Sequence, residues 1–403
     1  MAIQDFVANQ ILTASQMDTL QANDYNWTVS TKTASYVLTA ADKGTRVVMN
    51  SASATTITVN TALFNASDTL QIINIGTGTC TITAGTATVT VNGSLALTQW
   101  GGGTLYFTSA SASIFFPSGG LSYGTATGGI GAPTSVTISG TAYQYLQFNA
   151  TGTLTVTKAG LFDFYLWAGG GGGGRGDATG YGGGGGGAGG WIYSTMYLTA
   201  NASITIGAGG AGSTTNGVAG AKGTFSAIYG GTSESSIFML GGMGGASTGD
   251  VNSSLVAGAS AGGTGSGGGL LPTGGYRFSL GVTTQWGFDG GNGFSGTTAT
   301  TAGGGGGGTT AVGNTATSSN GAAGGAGLQV NTFIGGSSLF KGGGGGGAGV
   351  SSGGAGGSSI GGAGGVLGGT AAAANTGSGG GGAYGANNGG AGGSGIVYVR
   401  FKV

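Results

Sequence analysis

Between Trp27 and Phe116 apolar and polar positions alternate in short runs. They are Tyr36-Val-Leu38, Arg46-Val-Val-Met49, Thr55-Thr-Ile-Thr-Val59, Thr69-Leu-Gln-Ile-Ile-Asn-Ile75, Thr79-Cys-Thr-Ile-Thr83, Thr88-Val-Thr-Val91, Thr104-Leu-Tyr-Phe107 and Ser113-Ile-Phe-Phe116. Thr alternating with Ile or Val gives each run an inward and an outward face, the signature of half-buried strands. Turn residues such as Asp42-Lys-Gly44, Gly76-Thr-Gly78 and Asn92-Gly93 separate them. The spacing predicts a small β-sandwich or barrel over 26–120. Before it, residues 1–25 carry an apolar stretch and one short helix over 13–21, with Thr13 as cap and Gln16 completing a capping box.

The pattern changes after residue 120. Strand runs continue at 135–138, 143–148, 153–157 and 161–167, then at 191–198, 203–206, 225–229 and 236–240, and Ile396-Val-Tyr-Val-Arg-Phe-Lys-Val403 is the last. Between them lie unbroken glycine runs at 169–174, 182–187, 303–308, 342–347 and 379–382. Of the 103 glycines, ten precede residue 121 and the other 93 follow it. No Gly-X-Y register holds, which rules out a collagen triple helix.

Glycine runs have no side chains to bury, and each ordered Gly costs ~1 kcal/mol more backbone entropy than Ala. Only backbone hydrogen bonds can offset that, at ~0.5–1.5 kcal/mol net each. Polyproline II-shaped helices point every N–H and C=O sideways, and glycine alone lets several pack closely enough to bond on all sides. The runs therefore predict packed polyglycine II helices framed by strands over 121–403, rather than a flexible linker. The fold class is mostly β.

Charge narrows the chemistry. The chain has ten basic and ten acidic residues, no His and one Cys, Cys80. No basic face is available for nucleic acid. A lone Cys makes neither a disulfide framework nor a thiolate metal site, and the absence of His removes the usual nucleophile pairs. Scarce carboxylates disfavour a glycosidase pair. We expect no enzyme, cofactor or metal. The N-terminus resembles no signal peptide, and no run is long enough to span a bilayer, so synthesis in a cytoplasm and no membrane insertion are expected. Arg175-Gly-Asp177 reads as a polar loop between glycine tracts rather than an integrin motif.

These residues resemble a known group. A strand ending Leu166-Trp-Ala-Gly-Gly-Gly, the middle Ile204-Thr-Ile-Gly-Ala-Gly-Gly210 and the closing Gly-Gly-Ser-Gly-Ile396-Val-Tyr-Val-Arg are similar to the glycine-rich domain of bacteriophage tail fibres and tail-tip adhesins. Residues 6–20 resemble the N-termini of phage virion proteins, and Tyr36-Val-Leu-Thr-Ala-Ala-Asp-Lys-Gly44 is similar to a domain common in tail fibres. The resemblance implies a structural virion protein of the tail, made in the host cytoplasm. Phe6, Val7, Ile11 and Leu12 would dock it on other virion proteins. The other end would display loops to a bacterial surface glycan or outer-membrane protein. A homo-oligomer is implied too, trimers being common among tail fibres.

Side chains free to discriminate a receptor must lie in loops between glycine segments. The richest aromatic stretch, 270–294, offers Tyr276, Arg277, Phe278, Trp286 and Phe288, either as a recognition tip or as a packed cover of the bundle. Tyr181 and Tyr384, each flanked by glycine tracts, are further candidates. Two other functions stay open: a capsid or tail decoration protein without host binding, and an ice- or surface-binding protein. A depolymerase is the enzyme alternative.

Overall fold

The computed structural model describes residues 13–14, 28–91, 94–118, 123–230, 236–247, 260–266, 287–297 and 300–403. Most of the expected helix over 13–21 lies outside the described residues, as do Phe6, Val7, Ile11, Leu12, Tyr276, Arg277, Phe278 and Trp286. The fold is mostly strand with almost no helix, made of sheets and a β-solenoid-like arrangement. The chain divides into two compact units, Met1–Gly120 and Leu121–Val403.

The first unit holds β1 (Val29–Lys32), β2 (Tyr36–Val37), β3 (Arg46–Met49), β4 (Thr55–Val59), β5 (Thr69–Asn74), β6 (Cys80–Ala84), β7 (Thr88–Val91), β8 (Ala96–Leu97), β9 (Gly102–Ser109) and β10 (Ala112–Pro117). Two sheets form, β1-β3-β5-β9-β10-β7 and β2-β4-β6-β8. Alternation places Val47, Met49, Leu70 and Ile72 of one sheet in a common core with Ile57, Val59, Cys80 and Ile82 of the other. Among the described residues of this unit, consecutive strands pair as a hairpin only at β9–β10, whereas β1/β3/β5 and β2/β4/β6 are parallel ladders. The chain thus coils, laying Thr55–Val59 beside Cys80–Ala84 in register. Thr58 and Thr83, 25 residues apart, share a 3.2 Å hydroxyl contact. At the corner Gly76 sits where a Cβ would lie 2.2 Å from Ser51 O, so the next coil can approach only a glycine.

The second unit has β11 (Thr125–Thr127), β12 (Thr134–Ile138), β13 (Thr141–Phe148), β14 (Gly152–Lys158), β15 (Gly160–Trp167), β16 (Trp191–Leu198), β17 (Ala202–Thr205), β18 (Ser226–Tyr229), β19 (Ser236–Met239), β20 (Leu328–Gln329), α1 (Asn331–Ile334), β21 (Phe340–Lys341) and β22 (Ile396–Lys402). Sheet β12-β13-β22-β15-β16 and sheet β11-β14-β17-β18-β19 bury a core between them. It is built from Phe148, Phe162, Phe164, Val397, Val399 and Phe401 on one side and Leu154, Ile204 and Ile228 on the other. The opposite face of the first sheet is aromatic: Trp167, Tyr398 and Tyr165 pack under Phe333 of α1.

From these sheets the glycine segments project as an array. Segment 168–174, which continues β15, shows how it is bonded. Amides of Gly169 and Gly172 donate to Thr224 and Ala221, those of Gly170 and Gly173 to Gly393 and Gly390, and those of Gly171 and Gly174 to Gly187 and Gly184. These bonds are 2.8–3.1 Å long. Carbonyls of Gly169 and Gly172 accept from Gly242 and Gly245, those of Gly170 and Gly173 from Gly210 and Ser213, and those of Gly171 and Gly174 from Gly380 and Ala383. Partners recur every third residue, donors pointing to antiparallel neighbours and acceptors to parallel ones. Backbone occupies every side of the segment. A Cβ on Gly170, Gly172 or Gly173 would meet a carbonyl oxygen at 2.0, 2.0 or 1.9 Å.

Segments 182–190, 302–308, 342–348 and 377–383 are enclosed in the same way. With 168–174 they hold all the unbroken glycine runs, and the alanines beside the runs, Ala168, Ala188, Ala302, Ala348 and Ala383, are wholly buried. Around them run segments with side chains at intervals of three. In 207–213 Ala208 and Ala211 are exposed; in 218–224 Ala221 and Thr224 are exposed while Gly220 and Gly223 are buried. An unbroken run marks an interior segment, and side chains recurring three apart, as at Ala208 and Ala211, mark an open side.

Candidate functional site

At the end of the array away from the sheets, short loops join the segments. The loop after Gly174 turns on Asp177, whose Oδ1 accepts from the Thr179 amide (3.0 Å) and hydroxyl (2.7 Å). Gly180, at φ +92°, closes the turn. Thr301 Oγ1 donates to Gly180 O at 2.9 Å, and Ser266 Oγ accepts from Gly182 N at 2.7 Å. Arg175 Nη1 donates to Thr214 O, and Ser247 Oγ donates to Arg175 O at 2.8 Å. In the loop after Ala383, Asn387 Nδ2 donates to Tyr384 O at 2.9 Å and Val366 O at 3.2 Å.

The structure brings Tyr181 and Tyr384 together. Gly385 N donates to Tyr181 O at 2.9 Å, and Gly182 bridges Tyr384. Both tyrosines are half-buried. Phe288 is not with them. Its carbonyl accepts from Ala261, and it lies beside Gly307, whose own carbonyl accepts from Ala188. That is the sheet end of the array, while Tyr181 stands at the other end of segment 182–190. The rim also carries uncharged polar groups: Ser351 donates to Ser319 and Ser352 to Asn320, each at 2.9 Å. Such a surface, with two tyrosines, one Arg and one Asp, can bond and stack a polyhydroxylated ligand. Among the described residues no group of acidic, His or Cys side chains could hold a metal ion.

A family model described as the Glycine-rich domain matches residues 147–402, from the end of β13 through β22. The chain belongs to that family. The matched glycine-rich domain takes in the array, both rim tyrosines and the strands in which the array is rooted. No curated protein matches the chain.

One cluster in this glycine-rich domain escapes sequence reasoning. Asp163 of β15, 1% exposed, is paired with Arg400 of β22 through Nη2–Oδ2 at 3.0 Å. Thr195 Oγ1 donates to Asp163 Oδ1 at 2.8 Å, and Tyr123 lies 3.4 Å from both oxygens. The guanidinium is sandwiched 4.3 Å from Tyr143 and 4.2 Å from Phe333, and Nη1 donates to Phe333 O. The signal was present: Phe-Asp-Phe and Val-Arg-Phe each put one charge in an apolar strand of a chain with few charges.

Nearby, Lys341 is 6% exposed and donates to Asn375 O at 2.9 Å. Burial pushes its ammonium down to about 8, from an ordinary 10.5. The folded value lies below the unfolded one, so between them the unfolded chain binds the extra proton and stability rises with pH. Burial, and then Tyr145, hold the Tyr398 phenol well above its ordinary 10, which opposes further gain at higher pH. Melting temperature should therefore climb between about pH 7.5 and about pH 9.5, and Lys341→Met should flatten the climb. An equal climb in the variant would place its origin elsewhere.

Proposed function

We propose that this chain is a non-enzymatic virion protein, a phage tail fibre or tail-tip adhesin that binds a bacterial surface glycan or outer-membrane protein. Its glycine segments are polyglycine II helices in this reading, and residues 1–25 dock it on the particle. The observation that carries the reading is the division of labour in the array. Its interior is backbone bonded to backbone with a repeat of three, the repeat of that helix. Side chains able to discriminate a ligand, Tyr181 and Tyr384 among them, stand on loops at one end. Such loops can change without disturbing the scaffold. Near-absence of charge suits a rigid display element better than an acid–base catalyst.

The test is competition. Purified chain added to host cells before infection should lower adsorption of the phage that carries it by about tenfold. Tyr181→Ala with Tyr384→Ala should abolish that block while leaving the melting temperature in place. Unimpeded adsorption in the presence of the native chain would favour the decoration protein.

A further inference from the structure

Sheets protect their edges, because a row of unpaired amides and carbonyls recruits other strands. In the second unit β11 has three residues, β19 four, and β12 five following Pro133, so these edges are short. The remaining edge of the two five-stranded sheets, β16, is eight residues long with the sequence Trp-Ile-Tyr-Ser-Thr-Met-Tyr-Leu. It has no charge and no proline, and it pairs with β15 from Leu198↔Gly160 to Trp191↔Trp167 without a bulge. Tyr193 is 49% and Tyr197 39% exposed. Among the described residues none of the usual protections is present, and no further strand pairs with it.

Hydrogen-bond parity fixes which groups are free. Ala168 N donates to Gly190 O at 2.9 Å, a single bond, since Gly190 N turns to Leu240 O, and it sets the hydrogen-bonding parity of the ladder. Counting by twos, Ile192, Ser194, Met196 and Leu198 bond to β15, and the backbone groups of Trp191, Tyr193, Thr195 and Tyr197 face outward. Two such strands can pair antiparallel about a two-fold axis, odd residues meeting odd ones. With Thr195 on the axis, Tyr193 stands opposite Tyr197 of the second copy, on the same face of a joined sheet. Aromatic cross-strand pairs are favourable, and neither strand brings a charge that would repel the other.

We propose that β16 is a self-pairing edge through which two copies of this chain form a two-fold dimer with one continuous sheet. The partner is a second copy because the strand is complementary to itself in parity, face and charge. The proposal does not depend on the adhesin reading. It differs from a three-fold tail-fibre arrangement.

The full chain should sediment at micromolar concentration with twice the 37.8 kDa mass of one chain. Tyr197→Lys adds like charges on the edge and should raise the dissociation constant at least ~tenfold. Should that variant fold poorly, Thr195→Cys supplies a second reading. Cys80 is buried in the first unit, so mild oxidation should give a reducible dimer joined through the new thiol alone. A native monomer, a native trimer, a dimer unaffected by Tyr197→Lys, or the absence of a Thr195→Cys cross-link would each overturn the proposal.

Discussion

Gly305→Val should lower the stability of the glycine-rich unit by about 4 kcal/mol or more, among the largest effects open to a single substitution. Gly305 donates to Asn314 O at 3.0 Å and accepts from Gly291 N at 2.7 Å, and a Cβ there would meet Ala323 O at 2.0 Å. No flexible side chain stands in the way to rotate aside. The neighbouring segments must part, and each buried amide or carbonyl orphaned by their parting costs about 1–3 kcal/mol. Ala221→Ser, on an outer segment with its Cβ in solvent, should stay within about 0.5 kcal/mol of the native chain. Denaturant unfolding of both variants distinguishes the sites. Equal stability would mean that the interior segments are not packed as their bonds imply.

Arg400→Met should be nearly as damaging, about 3–5 kcal/mol, because it strands the Asp163 carboxylate behind the aromatic face. Thr195 alone then donates a short bond to it, and Tyr143 and Phe333 lose the flat cation between them. Adding Asp163→Leu to Arg400→Met should recover part of the loss, since the uncompensated charge goes with it. A double variant no better than Arg400→Met would assign the damage to lost packing alone.

These two effects differ in how far the sequence announces them. Predominance of strands follows from alternation in runs such as Thr55-Thr-Ile-Thr-Val59, and the glycine runs stand out unaided. How the strands of the first unit pair does not follow, because alternation fixes faces and is the same for hairpins and coils. A repeat was there to find: Thr56-Ile-Thr-Val59 and Thr81-Ile-Thr-Ala84 recur at the offset that the ladder uses. Among the glycine tracts, run length is conspicuous, and the spacing of alanines carries as much. Ala208 and Ala211, three apart, reveal an outer segment as surely as an unbroken run reveals an inner one. The Asp163–Arg400 pair joins residues 237 apart, and only the placement of β22 beside β15 brings them into contact. Glycine neighbours mark Tyr181 and Tyr384 each by itself; their adjacency comes from the bridge between their loops.

An interior made of backbone also has a calorimetric character of its own. Heat capacity rises on unfolding because apolar surface meets water, by about +0.45 cal/K/mol per Å², and exposed polar surface subtracts about 0.26. Opening segments such as 182–190 and 342–348 releases chiefly amide groups and little hydrocarbon. The array therefore contributes far less heat capacity per residue than the aromatic and aliphatic core beneath it. Its unfolding enthalpy and entropy change little with temperature, and its stability curve is a shallow arc where an ordinary domain has a dome. Cooling weakens the hydrocarbon core between the sheets and leaves the glycine array nearly untouched.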